Sequence, residues 1–241
     1  MMKTTMNRRG FALTLAAGAG ALTLGALAGC QKGQAVATST PGTSGSVPLN
    51  PVAGIDYRVL SKPVASDAPA GKVELIEFFG YWCPHCYTLA PTVEAWRKQA
   101  PAEIAFNMVP VSFGDPAREP LQKLYYALRD IGKLDAMHMK VFDAVQKQRI
   151  PLFTNEAVLE WAAKQPELAD AQFAQAYNAF GMNAQIQQAN RLVEEYDVDG
   201  VPSFGIAGKY FCNGSMAKSL ERELQIAEAL ALQEAKSGQQ K

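Results

Sequence analysis

The stretch FGYWCPHC, residues 79–86, decides the fold because it sets two cysteines at the junction of a strand and a helix. The preceding run Val73–Phe79 is short and almost continuously apolar, which is typical of a central strand that is buried on both faces. Downstream of Pro84 apolar residues recur at helical spacing, and proline is favoured in the first turn of a helix. The sequence therefore predicts a helix that begins at Pro84, with Cys83 at about its N-cap.

Two cysteines separated by two residues serve either as zinc ligands or as a redox pair. A helix N-terminus stabilises a thiolate, because the N–H groups of the first turn are free and the helix dipole is positive there. We therefore expect Cys83 to be an exposed nucleophile with a lowered pKa, and Cys86 to be the less accessible thiol that closes the disulfide. His85 can stabilise the neighbouring thiolate by its charge or by a hydrogen bond. A stabilised thiolate makes the disulfide more oxidising, so Pro84 and His85 favour oxidation.

Together with the CPHC motif at 83–86, the segment GVPSF at 200–204 makes the chain resemble the DsbA family of periplasmic thiol:disulfide oxidoreductases. The resemblance extends from about Tyr57 to the C-terminus. It implies an α/β, thioredoxin-like fold with an inserted α-helical domain. It also implies that Val201 and Pro202 form a cis-proline loop that packs against the cysteines and guides the substrate chain. An ordinary Val-Pro loop is the alternative.

The interval between Cys86 and Pro202 is far longer than a minimal thioredoxin-type domain requires. Amphipathic helical patterns fill it, and Asn155 is a plausible N-cap of one of these helices. A separate helical domain is the alternative, although neither flank resembles a linker. The predicted boundaries are 1–29 for a signal peptide, 30–52 for a lipidated cysteine and flexible tether, 53–114 for the first half of the thioredoxin-like domain, 115–196 for the helical insertion, and 197–241 for the second half.

Further strands are predicted outside the insertion. Ile104–Val109 follows the first helix, and Ser203–Ile206 and Lys209–Cys212 are two short strands joined by a tight turn. Tyr57–Leu60 is a candidate edge strand. A final amphipathic helix completes the order β-α-β, insertion, β-β-α.

Three residues close to the motif have both a functional and a structural interpretation. A buried carboxyl such as Glu77 must be paired, hydrogen-bonded or protonated. The family resemblance implies that Glu77 accepts a proton from Cys86, although Ile104–Val109 offers no lysine to pair with it. A structural acid is the alternative. Tyr81 and Trp82 either belong to the core or line the substrate groove.

The N-terminus indicates export. Basic residues, including Arg8 and Arg9, precede the uncharged run Phe11–Gly29, which is a signal-peptide pattern. The run ends in LAGC at 27–30, which resembles a bacterial lipobox and implies cleavage before Cys30 with lipid attached to it. A chance cysteine and an uncleaved anchor are the alternatives. The arginine pair also resembles a twin-arginine export signal, so the export route and the final membrane stay open.

The amino-acid composition gives no indication of nucleic-acid binding. The chain has 23 basic and 23 acidic residues and a pI of about 6.7, with no basic run that would favour nucleic-acid binding. The segment between Cys30 and Pro51 is rich in small and polar residues and predicts a flexible tether. Cys212 is expected to be a small core residue, with a third redox thiol as the alternative. His138 has no second ligand at helical spacing and is expected to be structural.

The sequence thus predicts an exported, lipid-anchored thiol:disulfide oxidoreductase that donates its Cys83–Cys86 disulfide to cysteine-containing exported proteins. Resemblance to DsbA implies reoxidation by a quinone-linked membrane oxidase of the DsbB type. We expect a periplasmic monomer that needs no cofactor beyond the redox disulfide and binds neither metal nor nucleic acid. One alternative is a reductase or isomerase on the same fold. The other is a lipoprotein that binds a soft metal through Cys83, His85 and Cys86.

Overall fold

The computed structural model describes residues 49–168 and 171–238 of the chain. The predicted signal peptide, Cys30 and the greater part of the predicted tether lie outside these residues. No helix within the described ranges is both long and apolar enough to cross a membrane. The elements, in chain order, are β1 (Arg58–Val59), β2 (Val73–Phe79), α1 (Pro84–Arg97), β3 (Ile104–Pro110), α2 (Glu119–Asp130), α3 (Leu134–Phe142) with a π-helical turn (Asp143–Lys147), α4 (Asn155–Ala162), a 3₁₀ turn (Pro166–Leu168), α5 (Gln172–Tyr177), α6 (Met182–Glu195), β4 (Ser203–Ile206), β5 (Tyr210–Asn213), α7 (Gly214–Ala217) and α8 (Leu220–Gly238).

The strands form a mixed sheet in the order β1-β5-β4-β2-β3. Strand β2 lies inside the sheet, parallel to β3 and antiparallel to β4, which accounts for its apolar sequence. The β4–β5 turn carries positive φ angles at Ala207 and Gly208. A Cβ at Gly208 would lie only 2.1 Å from the carbonyl oxygen of Val64, so the close approach of these two segments requires glycine. The predicted edge strand is confirmed as β1, which pairs with β5.

Alternation along β2 divides its side chains between two faces of the sheet. Leu75 and Glu77 lie on the face that α1 and α8 cover, where Leu75 packs with Leu89 and Leu224. Ile76 and Phe78 face the other side and join the core of the helical region. The site described below therefore lies where α1 and α8 meet one face of the sheet.

The helices α2–α6 fall between β3 and β4 in the chain, so the predicted order of elements is confirmed. One detail of the prediction is wrong. The N-cap of α4 is Thr154, whose Oγ1 accepts a hydrogen bond from the Ala157 N–H at 3.1 Å. Asn155 is instead the first helical residue, and its side chain accepts a hydrogen bond from the Tyr177 hydroxyl at 2.8 Å. That contact ties α4 to α5.

Candidate active site

The first cysteine of the motif caps α1. The helix begins at Pro84, and Cys83 is its N-cap with extended backbone, as the sequence predicts. The Sγ of Cys83 accepts a hydrogen bond from the backbone N–H of Cys86 at 3.4 Å. The pKa of Cys83 is lowered to about 6, chiefly by a hydrogen bond from the Cys86 side chain, and further by the backbone N–H groups of Cys86 and His85 and by the charge of His85.

The pKa of the second cysteine is shifted in the opposite direction. Cys86 is fully buried, and burial raises its pKa well above the ordinary value for a thiol. The hydrogen bond to Cys83 and the charges of Cys83 and Glu77 act in the same sense. Both thiols are free. The pair therefore combines a thiol that ionises readily with one that holds its proton.

The sequence predicts that Cys83 is exposed, and this prediction is wrong. Only 4% of the residue is accessible, because the loop that carries Val201 lies directly against the sulfur. The Cys83 thiol donates to the carbonyl oxygen of Val201 at 3.2 Å. The peptide bond between Val201 and Pro202 is cis. The structure thus packs this loop directly on Cys83.

A groove of about 360 Å³ opens beside this contact. His85 from α1 lines it, together with Val201 and Pro202. Gly214 and Leu220 contribute to the rest of the lining. His85 is exposed and lines the groove, so the groove lies beside the N-terminus of α1.

The structure separates the two aromatic residues that precede Cys83. Tyr81 is 1% exposed and its hydroxyl lies 2.8 Å from Nδ1 of His138, so it belongs to the core and the expectation of a groove position is wrong for it. Burial lowers the pKa of His138 to about 3, which keeps the imidazole neutral. His138 is accordingly a buried structural partner of Tyr81.

Trp82 has a different environment from Tyr81. It is partly exposed, its Nε1 donates to the carbonyl oxygen of Val111 at 2.9 Å, and the guanidinium of Arg118 lies 3.9 Å from its ring centroid. The indole folds back over Gly80, where a Cβ would lie 2.5 Å from Nε1. These contacts fix Trp82 at the surface near the cysteines.

Glu77 is buried beneath the N-terminus of α1. The residue is 3% exposed, and its register partners on the neighbouring strands are Met108 and Phe204. No lysine therefore stands opposite it, as the sequence indicates. Burial raises the pKa of Glu77 to about 8, with a smaller contribution from the charge of Glu94. At neutral pH its carboxyl is mostly protonated.

A second buried acid, Glu223 on α8, was missed by the sequence reasoning. It is fully buried, and neither side-chain oxygen has a hydrogen-bond partner. Burial raises its pKa to about 9, with the charges of Glu77 and Cys83 adding to the effect. A signal was available, since Glu223 falls three residues after Leu220 and four before Ala227, on the apolar stripe of the last helix.

The structure also bears on metal binding and on the fourth cysteine, Cys212. Among the residues that the structure describes, no group of three or more His, Cys, Asp or Glu side chains could hold a metal ion. Cys212 is fully buried in β5 and its thiol donates to the backbone carbonyl of Glu223 at 3.8 Å. Cys212 is thus a core residue.

Comparison with known families agrees with this geometry. Residues 74–230 match the family model described as a DSBA-like thioredoxin domain. The chain belongs to the DSBA-like family. It is 37% identical over 192 residues to the thiol:disulfide interchange protein DsbA of Burkholderia cepacia. The aligned region covers 80% of this chain and 90% of that protein. It is also 37% identical over 217 residues to the DsbA of Bordetella pertussis, covering 90% of both chains.

Solved DsbA structures share the architecture. The crystal structure of Pseudomonas aeruginosa DsbA superposes with a TM-score of 0.71 at 32% identity, covering 78% of this chain and 96% of that chain. The oxidoreductase DsbA from Xylella fastidiosa gives a TM-score of 0.67 at 27% identity, covering 76% and 97%. The predicted fold is therefore confirmed as thioredoxin-like α/β with an inserted helical domain, and this DSBA-like protein is a thiol:disulfide oxidoreductase.

Proposed function

We propose that this DSBA-like protein oxidises cysteine pairs in exported proteins, with the Cys83–Cys86 disulfide as the oxidant. The observation that carries the proposal is the opposite pKa shift of the two thiols, lowered at Cys83 and raised at Cys86. A thiolate stabilised in the reduced protein favours reduction of the enzyme disulfide. The same difference in pKa makes Cys83 the sulfur that forms the mixed disulfide and Cys86 the sulfur that takes up a proton.

The reaction proceeds in two exchanges. A substrate thiolate attacks Sγ of Cys83 and breaks the Cys83–Cys86 bond, so that Cys86 leaves and takes up a proton. A second substrate thiolate then attacks the substrate sulfur of the mixed disulfide, and Cys83 leaves as a thiolate. A thiolate whose thiol has a lower pKa is the better leaving group, so the lowered pKa of Cys83 favours this step. Glu77, protonated at neutral pH, is suited to supply the proton that Cys86 requires.

The groove beside Val201 and Pro202 is the proposed binding site for the substrate chain. It supports an extended peptide whose cysteine reaches Cys83, because the loop and His85 line its walls and Val201 already contacts the sulfur. Trp82, partly exposed next to Cys83 in the sequence, is proposed as a further, aromatic contact with the substrate.

The cellular setting is proposed from the N-terminal sequence and from the relatives. Signal peptide 1–29, lipid on Cys30 and the tether that follows would hold the catalytic domain at a membrane in the periplasm. The curated relatives named above are thiol:disulfide interchange proteins called DsbA. We therefore propose a quinone-linked membrane oxidase of the DsbB type as the partner that restores the disulfide. The reaction requires no other cofactor.

Trapping tests the assignment of the two sulfurs. In a Cys86→Ala variant the Cys83 thiolate should attack the disulfide of an oxidised substrate protein, release one substrate thiol and accumulate the mixed disulfide, because Cys86 is no longer present to resolve it. A Cys83→Ala variant should trap none. The matched control, Cys212→Ala, should turn over substrate without accumulating the adduct. Equal trapping on Cys86 in the Cys83→Ala variant would contradict the proposed roles.

A further inference from the structure

The groove beside the cysteine pair has a lining that can carry positive charge only. Among the described residues that line it, Lys218 and His85 have side chains that can be charged, and no acid is present. The other residues of the lining are glycines, polar uncharged residues and apolar residues. A chain that lies in this groove therefore meets positive charge along its lining and no carboxylate.

Lys218 enters the groove from the connection between α7 and α8. It is the C-cap of α7, with a φ of 66° in the left-handed region, and its N–H donates to the carbonyl oxygen of Gly214 at 2.8 Å. Glycine adopts this conformation without a steric penalty, so the turn alone does not account for a lysine at this position. Lys218 is exposed. What it adds to the groove is a positive charge.

The charge of Lys218 is not neutralised by an ion pair. Its ammonium has no salt-bridge partner within the part of the chain that the structure describes, whereas Lys209 pairs with Glu234. The charge of Lys218 acts weakly on Asp56, but that carboxylate is already paired with Arg222 at 2.7 Å. The ammonium is thus available to a bound chain.

Carboxyl groups outside the lining weaken this charge little. Glu223 lies behind Gly214, where a Cβ would be 3.4 Å from Oε2, and with a pKa of about 9 it is protonated and uncharged at neutral pH. The Asp199 carboxylate accepts a hydrogen bond from the side chain of Asn213 at 3.2 Å. Asp199 and Glu221, the latter in the first turn of α8, are exposed, so solvent screens their charges.

The groove also meets the N-terminus of α8. Ser219 caps this 19-residue helix, because its Oγ accepts a hydrogen bond from the N–H of Arg222 at 3.1 Å and its carbonyl oxygen accepts one from the N–H of Glu223 at 3.1 Å. Ser219 and Leu220, the first residue of the helix, both line the groove. The positive end of the α8 dipole therefore adds to the charge of Lys218.

We propose that Lys218 is a specificity-determining residue that favours substrates with an acidic side chain close to the reactive cysteine. The proposal rests on the function proposed above. When the substrate cysteine reaches Cys83, the chain beside it lies in the groove, and a Glu or Asp carboxylate there pairs with the Lys218 ammonium. The pairing strengthens association of the reduced substrate, while the thiol exchanges at Cys83 and Cys86 proceed as described.

Reduced peptides with two cysteines test this preference. In each peptide one position flanking the reactive cysteine is Glu, Gln or Lys, and that position is varied along both sides. Stopped-flow kinetics give the second-order rate constant for reduction of the Cys83–Cys86 disulfide of the full chain by each peptide. Each value is divided by the rate constant of the same peptide with hydroxyethyl disulfide, an uncharged small disulfide. The division removes the effect of the flanking charge on the pKa of the peptide's own thiol.

At the position that faces Lys218, the Glu peptide should react about two- to fivefold faster than the Gln peptide, as expected for an exposed ion pair, and the Lys peptide should react more slowly. Lys218→Gln should remove this order, and Lys218→Glu should reverse it. Lys164→Gln, at an exposed position just after α4, is the matched control and should keep the wild-type order. The order should also weaken at about 1 M salt, where exposed charges are screened.

Equal normalised rates for the three peptides at every position would overturn the proposal. So would a preference for Glu that is as strong in Lys218→Glu as in the wild type. If the oxidised wild-type protein reacted with none of the peptides, the proposed function would fail instead, and this inference with it.

Discussion

The carbonyl oxygen of Val201 lies 3.2 Å from the sulfur of Cys83, although 118 positions separate the two residues in the sequence. The contact joins the N-terminus of α1 to the loop that precedes β4, and it covers the sulfur that the sequence predicted to be exposed. The groove that Val201 and His85 line opens beside this contact.

The pKa of Cys83 should depend more on Cys86 than on His85. A hydrogen bond from the Cys86 side chain is the largest cause of the lowered pKa, and the charge of His85 is the smallest. Cys86→Ala should therefore raise the Cys83 pKa more than His85→Ser does, and Cys86→Ser, which keeps a donor, should raise it less than Cys86→Ala. Thiolate absorbance against pH measures all three, and the reverse order would refute this account of the site.

Glu77→Gln should slow thiol exchange that involves Cys86. The carboxyl of Glu77 has a pKa of about 8 and can supply a proton at neutral pH, which an amide cannot do. We expect a rate reduction of about a hundredfold in reduction of the enzyme disulfide by a dithiol, at the low end of what general acid catalysis contributes. Stopped-flow kinetics from pH 5 to 9 provide the measurement. Rates that coincide with wild type at every pH would exclude a role for Glu77.

Stability should fall as pH rises, because two carboxyls are raised above their unfolded values. Glu77 and Glu223 have pKa values of about 8 and about 9 in the folded protein, against an ordinary value of 4.5. Between these values the folded state holds protons that the unfolded state releases. Each carboxyl then costs up to about 1.4 kcal/mol of unfolding free energy per pH unit, so the stability that these two groups contribute is fully present below about pH 4.5 and is lost as the pH rises towards 8–9.

Denaturant unfolding of a Cys83→Ser, Cys86→Ser double variant measures this dependence without titrating thiols at the site. Adding Glu223→Gln should flatten the decline, because one of the two proton sites is gone. Adding Glu221→Gln should leave it unchanged. A decline of the same steepness with and without Glu223 would show that this carboxyl is ionised in the folded protein at neutral pH.

Cys212 should be inert in the folded protein. It is fully buried, and burial raises its pKa well above the ordinary value. An alkylating reagent should label Cys83 rapidly in the native reduced protein and Cys212 only after unfolding. Cys212→Ala should lower stability by about 1 kcal/mol through lost packing and leave exchange rates unchanged. Rapid labelling of Cys212 under native conditions would restore the possibility of a third redox thiol.

Local patterns predicted much of the fold. The apolar run of β2 and the start of α1 at Pro84 were correct to the residue, because a buried strand and a helix N-terminus are both encoded by adjacent residues. The cap of α4 was misplaced by one position, since Thr154 and Asn155 are both acceptable caps and only the backbone geometry decides between them.

The site was harder to predict, because it is assembled from segments that are far apart in the chain. Packing of the Val201 loop on Cys83 could not be derived from spacing, and neither could the contact between Tyr81 and His138 that places Tyr81 in the core. Glu223 was detectable as an acid on an apolar helical stripe. Its full burial depends on how α8 packs against β2 and β4, which no local pattern contains.

The most direct test of the central claim is the reduction potential of the Cys83–Cys86 pair, measured by equilibration with glutathione together with the Cys83 pKa from thiolate absorbance. A disulfide donor requires a potential well above that of thioredoxin, about −270 mV, and the account predicts this together with a Cys83 pKa of about 6. A thioredoxin-like potential with a pKa near that of free cysteine, about 8.5, would contradict it and favour a reductase.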